Sequence, residues 1–332
     1  PGAAMTWVPT PFAGYSCEFS PFHPGLLAVG TAQYYGIVGN GRLHVFDIAG
    51  PGGAAVPVCE WITQDGVYDC AWSEANEHVI ATAQGDGTVK LFDWTQPQGP
   101  ITSLQGHTAE VYGVDWNLNT KNLISSAAWD HTVKVWDVVQ GVCIRNSVAH
   151  QQIAYAAIWS PARPTCLASV AGDAMLHIHD LNAGEVPVQS IPAHQHEILS
   201  VDWNKYNEFQ VVTGSVDKTL RVFDLRNPSG PLQMLHGHQL AVRRVKTHPH
   251  YENQVVSASY DMTVKVWDLS MGQVIQHFDH HSEFVLGVDL SLFEENLMAT
   301  AAWDRTACVW NCMQGRPPPP PPQMQQAAVR KV

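Results

Sequence analysis

His107-Thr108-Ala109-Glu110-Val111-Tyr112-Gly113-Val114-Asp115-Trp116 and, after a short connection, Leu123-Ile124-Ser125-Ser126-Ala127-Ala128-Trp129-Asp130-His131-Thr132-Val133-Lys134-Val135-Trp136-Asp137 form one unit of a pattern that runs the length of the chain. Within it, Glu110 to Trp116, Asn122 to Ala127, Thr132 to Asp137 and Val142 to Ser147 read as four strands, a to d. Each is short, rich in Val, Ile and Ala, and bounded by turn residues.

An aromatic followed by Asp or Asn recurs as Phe46-Asp47, Phe92-Asp93, Trp136-Asp137, Phe223-Asp224, Trp267-Asp268 and Trp310-Asn311, with His179-Asp180 in the remaining slot. The spacing is 43 to 46 residues, a period that signals a repeat architecture. Six residues before the dipeptide stands Asp86, Asp130, Asp173, Asp217, Asp261 or Asp304, and four before that a hydroxyl: Thr82, Ser126, Ser169, Thr213, Ser257 or Thr300. A histidine opens five units, at His107, His150, His194, His238 and His281.

These residues resemble the WD40 family from roughly Tyr15 to Asn311, which implies an all-β, seven-bladed propeller spanning residues 5–312. The resemblance also implies a hydrogen-bonded chain in each regular blade. Its members are His107, Ser126, Asp130 and Trp136 in one blade and His194, Thr213 and Asp217 in another, with His238, Ser257, Asp261 and Trp267 in a third. A buried Asp and His are tolerable only when paired, and a closed network of this kind rigidifies a blade. His, Ser and Asp are also the parts of a hydrolase triad, but a triad occurs once and this set recurs five times, with no G-x-S-x-G elbow. No catalytic residue is expected. A single blade cannot bury both faces, so blades stack in a ring. Thr6 to Phe12 is expected to supply the outer strand of the last blade and close that ring, removing an exposed sheet edge.

The chain has 332 residues, 45% of them hydrophobic and 14% charged, which allows an extended core. A formal net charge of −12 argues against a protein that neutralises phosphates, so no nucleic-acid partner is expected. The seven cysteines form no CxxC pair and lie mostly in apolar strand-like runs, as reduced cytosolic thiols do. The seventeen histidines show no HExxH or similar spacing, so neither metal nor cofactor is expected. No apolar run is long enough to span a bilayer, and no signal peptide is visible. Residues 1–4 are expected to be a cloning remnant ahead of a native start at Met5. Residues 313–332, with six consecutive prolines and then Gln-rich sequence, suit an extended, solvated tail or a ligand for a proline-binding domain.

The first unit lacks the turn Asp and carries Thr31-Ala32-Gln33-Tyr34-Tyr35-Gly36-Ile37-Val38-Gly39-Asn40-Gly41 instead, so its network must be incomplete. A propeller does not name a function; its surface does. The connections from d to a and from b to c open on one face, the top. At the rim ahead of strand a stand Asp65, Glu110, Ile153, Glu197, Ala241 and Phe284. Further in come Tyr15, Tyr68, Tyr112, Tyr155, Leu199, Arg243 and Leu286. Before the turn Asp stand Gly85, Trp129, Gly172, Val216, Tyr260 and Trp303. Aromatics with a few charges make protein-binding hot spots, and this set suits an amphipathic helix with a basic residue on Asp65 and Glu110. The expected site is Asp65, Tyr68, Glu110, Tyr112, Trp129, Tyr155, Glu197, Leu199, Arg243, Tyr260 and Trp303.

Within the WD40 family the chain is similar to the receptors for type 2 peroxisomal targeting signals. That likeness rests on Thr31 to Ile37, Trp72-Ser73-Glu74-Ala75-Asn76-Glu77-His78, Ile191 to Ser200, Asp202 to Glu208 and Ala241 to Lys246. It implies a cytosolic shuttle receptor, not an enzyme, for cargo proteins with an N-terminal helical signal, Arg/Lys–aliphatic–five residues–His/Gln–aliphatic. A co-receptor and the peroxisomal docking machinery are the further partners it implies. The rival is a scaffold in signalling or chromatin; a coiled-coil N-terminal helix would support its G-protein β-like form, and this sequence shows none.

Overall fold

A computed structural model describes residues 6–50 and 54–314. The expectations for residues 1–4 and Met5 and for the proline tail lie outside them. Seven four-stranded antiparallel sheets follow one another around a ring. Each begins on its inner strand: Ala13–Phe19, Val67–Trp72, Val111–Trp116, Ala154–Trp159, Ile198–Trp203, Val242–Thr247 and Val285–Leu290. Thr6–Pro9 pairs antiparallel with Thr306–Asn311 and is the outer strand of the seventh blade. Pro9 has no N–H to donate, which an edge strand tolerates. The ring is thus closed as expected, by a strand somewhat shorter than Thr6 to Phe12. Among the described residues no helix is long and apolar enough to cross a membrane.

The core is divided into seven apolar clusters, one for each pair of neighbouring blades. Blades 3 and 4, for example, share Leu123, Val133 and Val135 with Ala157, Trp159 and Leu167. An eighth cluster, around Tyr15 and Tyr68, joins blades 1, 2 and 7 at the top of the channel.

The inner strands also bind one another through carboxylates. Each presents an unpaired backbone edge to the channel, and buried N–H groups need partners. Asp289 accepts from Phe19 N at 2.9 Å, Glu18 from Trp72 N at 2.8 Å, Asp115 from Trp159 N at 2.7 Å and Asp202 from Thr247 N at 2.7 Å. In each case the acid of one blade caps the inner strand of the next. Burial pushes the Asp115 carboxyl up to about 7 and Glu18 well above the carboxylate range. Arg244 of blade 6 reaches Asp69 of blade 2 with two hydrogen bonds, 2.8 and 3.2 Å, tying non-adjacent blades together. Towards the bottom the channel opens into a cavity of about 510 Å³.

The repeated network is graded. In blades 3 and 6 it is complete: His107 Nδ1–Asp130 is 2.9 Å, His107 Nε2–Ser126 Oγ 2.7 Å, and Trp136 Nε1 donates to Ser126 Oγ at 2.8 Å. His238, Asp261, Ser257 and Trp267 repeat this at 2.9, 2.7 and 2.7 Å. In blade 4, His179 Nε2 takes the place of the indole on Ser169, at 2.8 Å. Blade 5 pairs His194 with Asp217 and Thr213, and Phe223 brings no donor. In blade 7, His281 binds Asp304 and Thr300, but Trp310 Nε1 is unpartnered among the described residues. In blade 1 Thr31 Oγ1 donates only to the Arg42 carbonyl, which is the incompleteness expected there.

Ser257→Ala strands Trp267 Nε1 and His238 Nε2, each a buried polar group worth about 1–3 kcal/mol when unmatched. Thr213→Val strands His194 Nε2 and removes a 3.3 Å hydrogen bond to the Arg221 carbonyl, but no indole depends on it. Urea denaturation is expected to show a loss of about 2 kcal/mol or more for Ser257→Ala and a smaller one for Thr213→Val; equal losses would contradict the grading.

Burial holds His44, His107, His194, His238 and His248 below the usual histidine range, His44 and His248 down to about 4. The unfolded chain therefore takes up protons on these rings first as pH falls. The contribution of these rings to stability is full above about pH 6.5 and is lost from there towards pH 4, opposed over the same range by Asp115 and Glu18, whose raised carboxyls take up protons first in the folded chain. Burial opposes ionisation of Asp130, Asp217 and Asp261, but hydrogen bonds from histidine and threonine outweigh it and depress all three, which adds a further loss below about pH 4. His248→Gln, which removes one of these rings, is expected to flatten the fall of the denaturation midpoint between about pH 6.5 and 4.5, and an unchanged profile would contradict the histidine assignment.

Candidate functional site

Every inner strand carries a β-bulge at the same place, which re-aims one side chain. The seven bulged residues are Tyr15, Tyr68, Tyr112, Tyr155, Leu199, Arg243 and Leu286. They converge at the top of the channel. Tyr15 meets Tyr68 at a ring-centroid distance of 5.2 Å, Tyr68 meets Tyr112 at 5.1 Å, and Tyr112 meets Tyr155 at 5.7 Å. The Arg243 guanidinium crosses from blade 6 to lie 4.9 Å above the Tyr112 ring. Burial pushes the phenols of Tyr15, Tyr68, Tyr155 and Tyr260 upward, so they remain neutral.

A second tier lies on this floor. Trp129 stacks on Tyr112 at 5.6 Å; Trp303 packs on Tyr15, Tyr35 and Phe284 at 5.8, 5.0 and 5.2 Å; Phe284 stacks on Tyr260 at 4.9 Å. The result is a continuous aromatic arc over blades 3, 2, 1, 7 and 6. The loop of blade 1 overhangs it. Its Gln33–Gly36 turn holds Tyr34, Tyr35 and Gly36 at φ of 46, 57 and 72°. Left-handed backbone costs about 1–2 kcal/mol per non-glycine residue. Two hydrogen bonds from the floor hold it there: Tyr15 Oη to the Tyr35 carbonyl, 2.6 Å, and Tyr68 Oη to the Gly36 carbonyl, 2.7 Å. Tyr34, Tyr35, Ile37 and Val38 are exposed beside the arc.

The expected site residues separate into two groups. Trp129 is exposed, and Asp65, Glu110, Tyr112, Tyr155, Glu197, Tyr260 and Trp303 are partly exposed. Tyr68, Leu199 and Arg243 are buried, with Arg243 only 2% exposed, so they support the surface rather than form it. Arg243 Nη1 lies 3.5 Å from the Leu199 carbonyl. The bulge explains this: the same turn that gathers these side chains over the channel covers them with their neighbours. The rim series also needs one shift of register. Trp129 N bonds the Glu110 carbonyl and Val216 N the Glu197 carbonyl, but Gly85 N bonds Gly66, not Asp65. Asp65 precedes the equivalent position and folds over Gly85, where a Cβ would come within 2.5 Å of its Oδ1. The carboxylates of Glu110 and Glu197 have no ion-pair partner among the described residues. The sequence reading did not place Tyr34, Tyr35, Ile37 and Val38 on the surface, and it put Phe284 on the rim but outside the expected site; the unusual length of the first b–c connection was the available signal.

The model for the WD domain, G-beta repeat, matches residues 57–93 and 98–137. A second, for the nucleolar protein 10-like N-terminal domain, matches residues 169–309. The chain is 43% identical over 170 residues to the peroxisomal targeting signal 2 receptor of Homo sapiens, covering 51% of this chain and 52% of that one. It is 49% identical over 111 residues to the receptor of the same name from Dictyostelium discoideum, covering 33% and 34%. Peroxisome biogenesis protein 7 of Arabidopsis thaliana is 47% identical over 109 residues, covering 32% and 34%. The matches span about half the length of the human relative or less. The chain is a seven-bladed propeller of WD40 repeats that resembles these receptors.

A Cβ at Gly36 would meet the Tyr15 hydroxyl at 2.7 Å, on a backbone that already has φ 72°. Gly36→Ala is expected to displace the loop, cost about 1–3 kcal/mol and shift the tryptophan emission as Trp303 loses Tyr35. Tyr34→Ala, at an exposed ring, should stay within about 0.5 kcal/mol of the parent; the reverse order would refute the role given to Gly36.

Proposed function

We propose that this chain, a WD40 propeller similar to peroxisomal targeting signal 2 receptors over about half its length, binds the helical type 2 signal of cargo proteins on its top face. With a co-receptor it delivers them to the peroxisomal docking machinery, shuttling from the cytoplasm. The observation that carries this is the aromatic arc with unpaired carboxylates along one side. Trp129 and Glu110 are joined through their backbones, and Asp65 lies on the neighbouring blade. An amphipathic helix set on the arc places its aliphatic face on Trp129, Tyr112 and Trp303. Its leading Arg or Lys then faces Glu110 and Asp65, and an acidic surface speeds the arrival of such a segment. Tyr68, Leu199 and Arg243 act beneath, holding the floor. The recurring His–Ser/Thr–Asp sets hold blades together, and the reading is of a receptor, not an enzyme.

Fluorescence anisotropy with a labelled type 2 signal peptide tests the proposal. Glu110→Arg and Asp65→Arg should each weaken binding at least about tenfold. A peptide with its leading Arg changed to Glu should bind the parent weakly and recover part of its affinity with Glu110→Arg. Trp129→Ala should cost about 2 kcal/mol of binding energy. Unchanged affinity in both charge reversals would overturn the reading.

A further inference from the structure

Blade 4 departs from the repeat at two positions, and both departures are to histidine. One is His179, in the slot of the aromatic. The other is His177, which pairs across the sheet with the network hydroxyl Ser169. The residues in the same ladder position are Arg42 opposite Thr31, Lys90 opposite Thr82, Lys134 opposite Ser126, Arg221 opposite Thr213 and Lys265 opposite Ser257, with Cys308 opposite Thr300 in blade 7. In blades 2 and 5 that cation is bound to the turn aspartate, Lys90 to Asp86 and Arg221 to Asp217. Asp173, the turn aspartate of blade 4, has no such cation. It faces His150, with Nδ1 at 3.0 and 3.2 Å from its two oxygens.

His177 lies against this pair. Its ring centroid is 4.4 Å from that of His150, it is 5% exposed, and neither of its nitrogens has a hydrogen-bond partner. The Ala149 carbonyl is close to it without forming a regular bond. A buried imidazole with two unsatisfied nitrogens calls for an explanation. One ligand atom from each of His150, Asp173 and His177 lies within 4.8 Å of the others. In a tetrahedral zinc site with bonds of about 2.0–2.1 Å, neighbouring ligand atoms stand about 3.3 Å apart. The His150–Asp173 pair is already near that spacing, and His177 has to close in by up to about 1.5 Å. The three residues come from the d–a connection, the b–c turn and strand c, which is why no linear metal motif is visible.

We propose that blade 4 holds a divalent transition-metal site, best suited to zinc, with His150 Nδ1, Asp173 and His177 as ligands and solvent in the fourth position. Two imidazoles and a carboxylate are a ligand set that zinc accepts. The metal supplies the positive charge that Lys90 and Arg221 supply in their blades. On binding, the proton of His150 moves from Nδ1 to Nε2, which then donates to Ser169 Oγ across the existing 2.9 Å contact. Ser169 thereby fixes the ring from behind, as outer-shell partners of metal-bound histidines do. Blades 3 and 6 are internal controls: Lys134 and Lys265 stand where a third ligand would be, beside His107 and Asp130 and beside His238 and Asp261.

The test uses the full chain, stripped of metal with a chelator and titrated with Zn²⁺ against a competing chromophoric chelator. The parent should bind one equivalent, and its melting temperature should rise with Zn²⁺. His177→Lys gives the residue of blades 2, 3 and 6, so the blade should fold, and its zinc affinity should fall by at least about a hundredfold. His177→Gln provides a second variant without added charge, and His196→Ala, at an exposed histidine, should bind as the parent does. Co²⁺ should give visible absorption bands of a tetrahedral or five-coordinate ion in the parent alone. Absence of binding by the parent at micromolar Zn²⁺, or equal binding by the parent and both His177 variants, would overturn the proposal.

Discussion

Neighbouring blades share every apolar core in this molecule, and that constraint governs the rest of the structure. A four-stranded sheet with two apolar faces has no stable existence alone. Each of the seven clusters draws its residues from two blades, so each blade is finished only by both of its neighbours. The acids of the inner strands follow the same rule at the polar level. Asp289, Glu18, Asp115 and Asp202 each satisfy an N–H of the next blade, all in one rotational sense. The ring is consequently held by a cyclic set of joints, with Arg244 and Asp69 braced across the middle.

Much of this was legible in the sequence because it repeats. Ser126, Asp130 and Trp136 have counterparts at a fixed spacing, and such regularity has a physical source: a network that must close on itself tolerates few alternatives. The departures were legible as departures. Phe223 and His179 in the indole slot announced that blades 5 and 4 are built differently, though only the coordinates show what each lost or gained. The channel carboxylates were not singled out, since an Asp before a strand-a tryptophan reads as an ordinary alternating polar residue.

The candidate site was legible in composition and misread in depth. Tyr68, Leu199 and Arg243 stand at positions that look solvent-facing when strands are counted as regular. A bulge adds one residue to one strand and leaves no mark in a pattern of period two. Asp65 is out of register for a different reason: Gly66 holds the place of Glu110 and Glu197 in its blade, and the acid stands one residue before it. Conversely, Tyr34 and Tyr35 belong to a loop whose left-handed backbone no composition rule suggests, because glycine is the usual choice there. Their conformation depends on hydroxyls contributed by two different blades, Tyr15 and Tyr68, and such a dependence cannot be read from local sequence.

The pairing of Thr6–Pro9 with Thr306–Asn311 also sets a timetable. Thr6–Pro9 leaves the ribosome long before its partner, since about 300 residues separate them. At elongation rates of about 5–20 residues per second, the wait is on the order of 15–60 seconds. Throughout it the inner face of blade 1 lacks blade 7, and the apolar side chains destined for that joint, Cys17, Phe19 and Val29 among them, have nothing to cover them. A ring closed by strands this far apart in the chain is therefore sealed only after the seventh blade has emerged. Until then it presents the newly made chain as a client for chaperones.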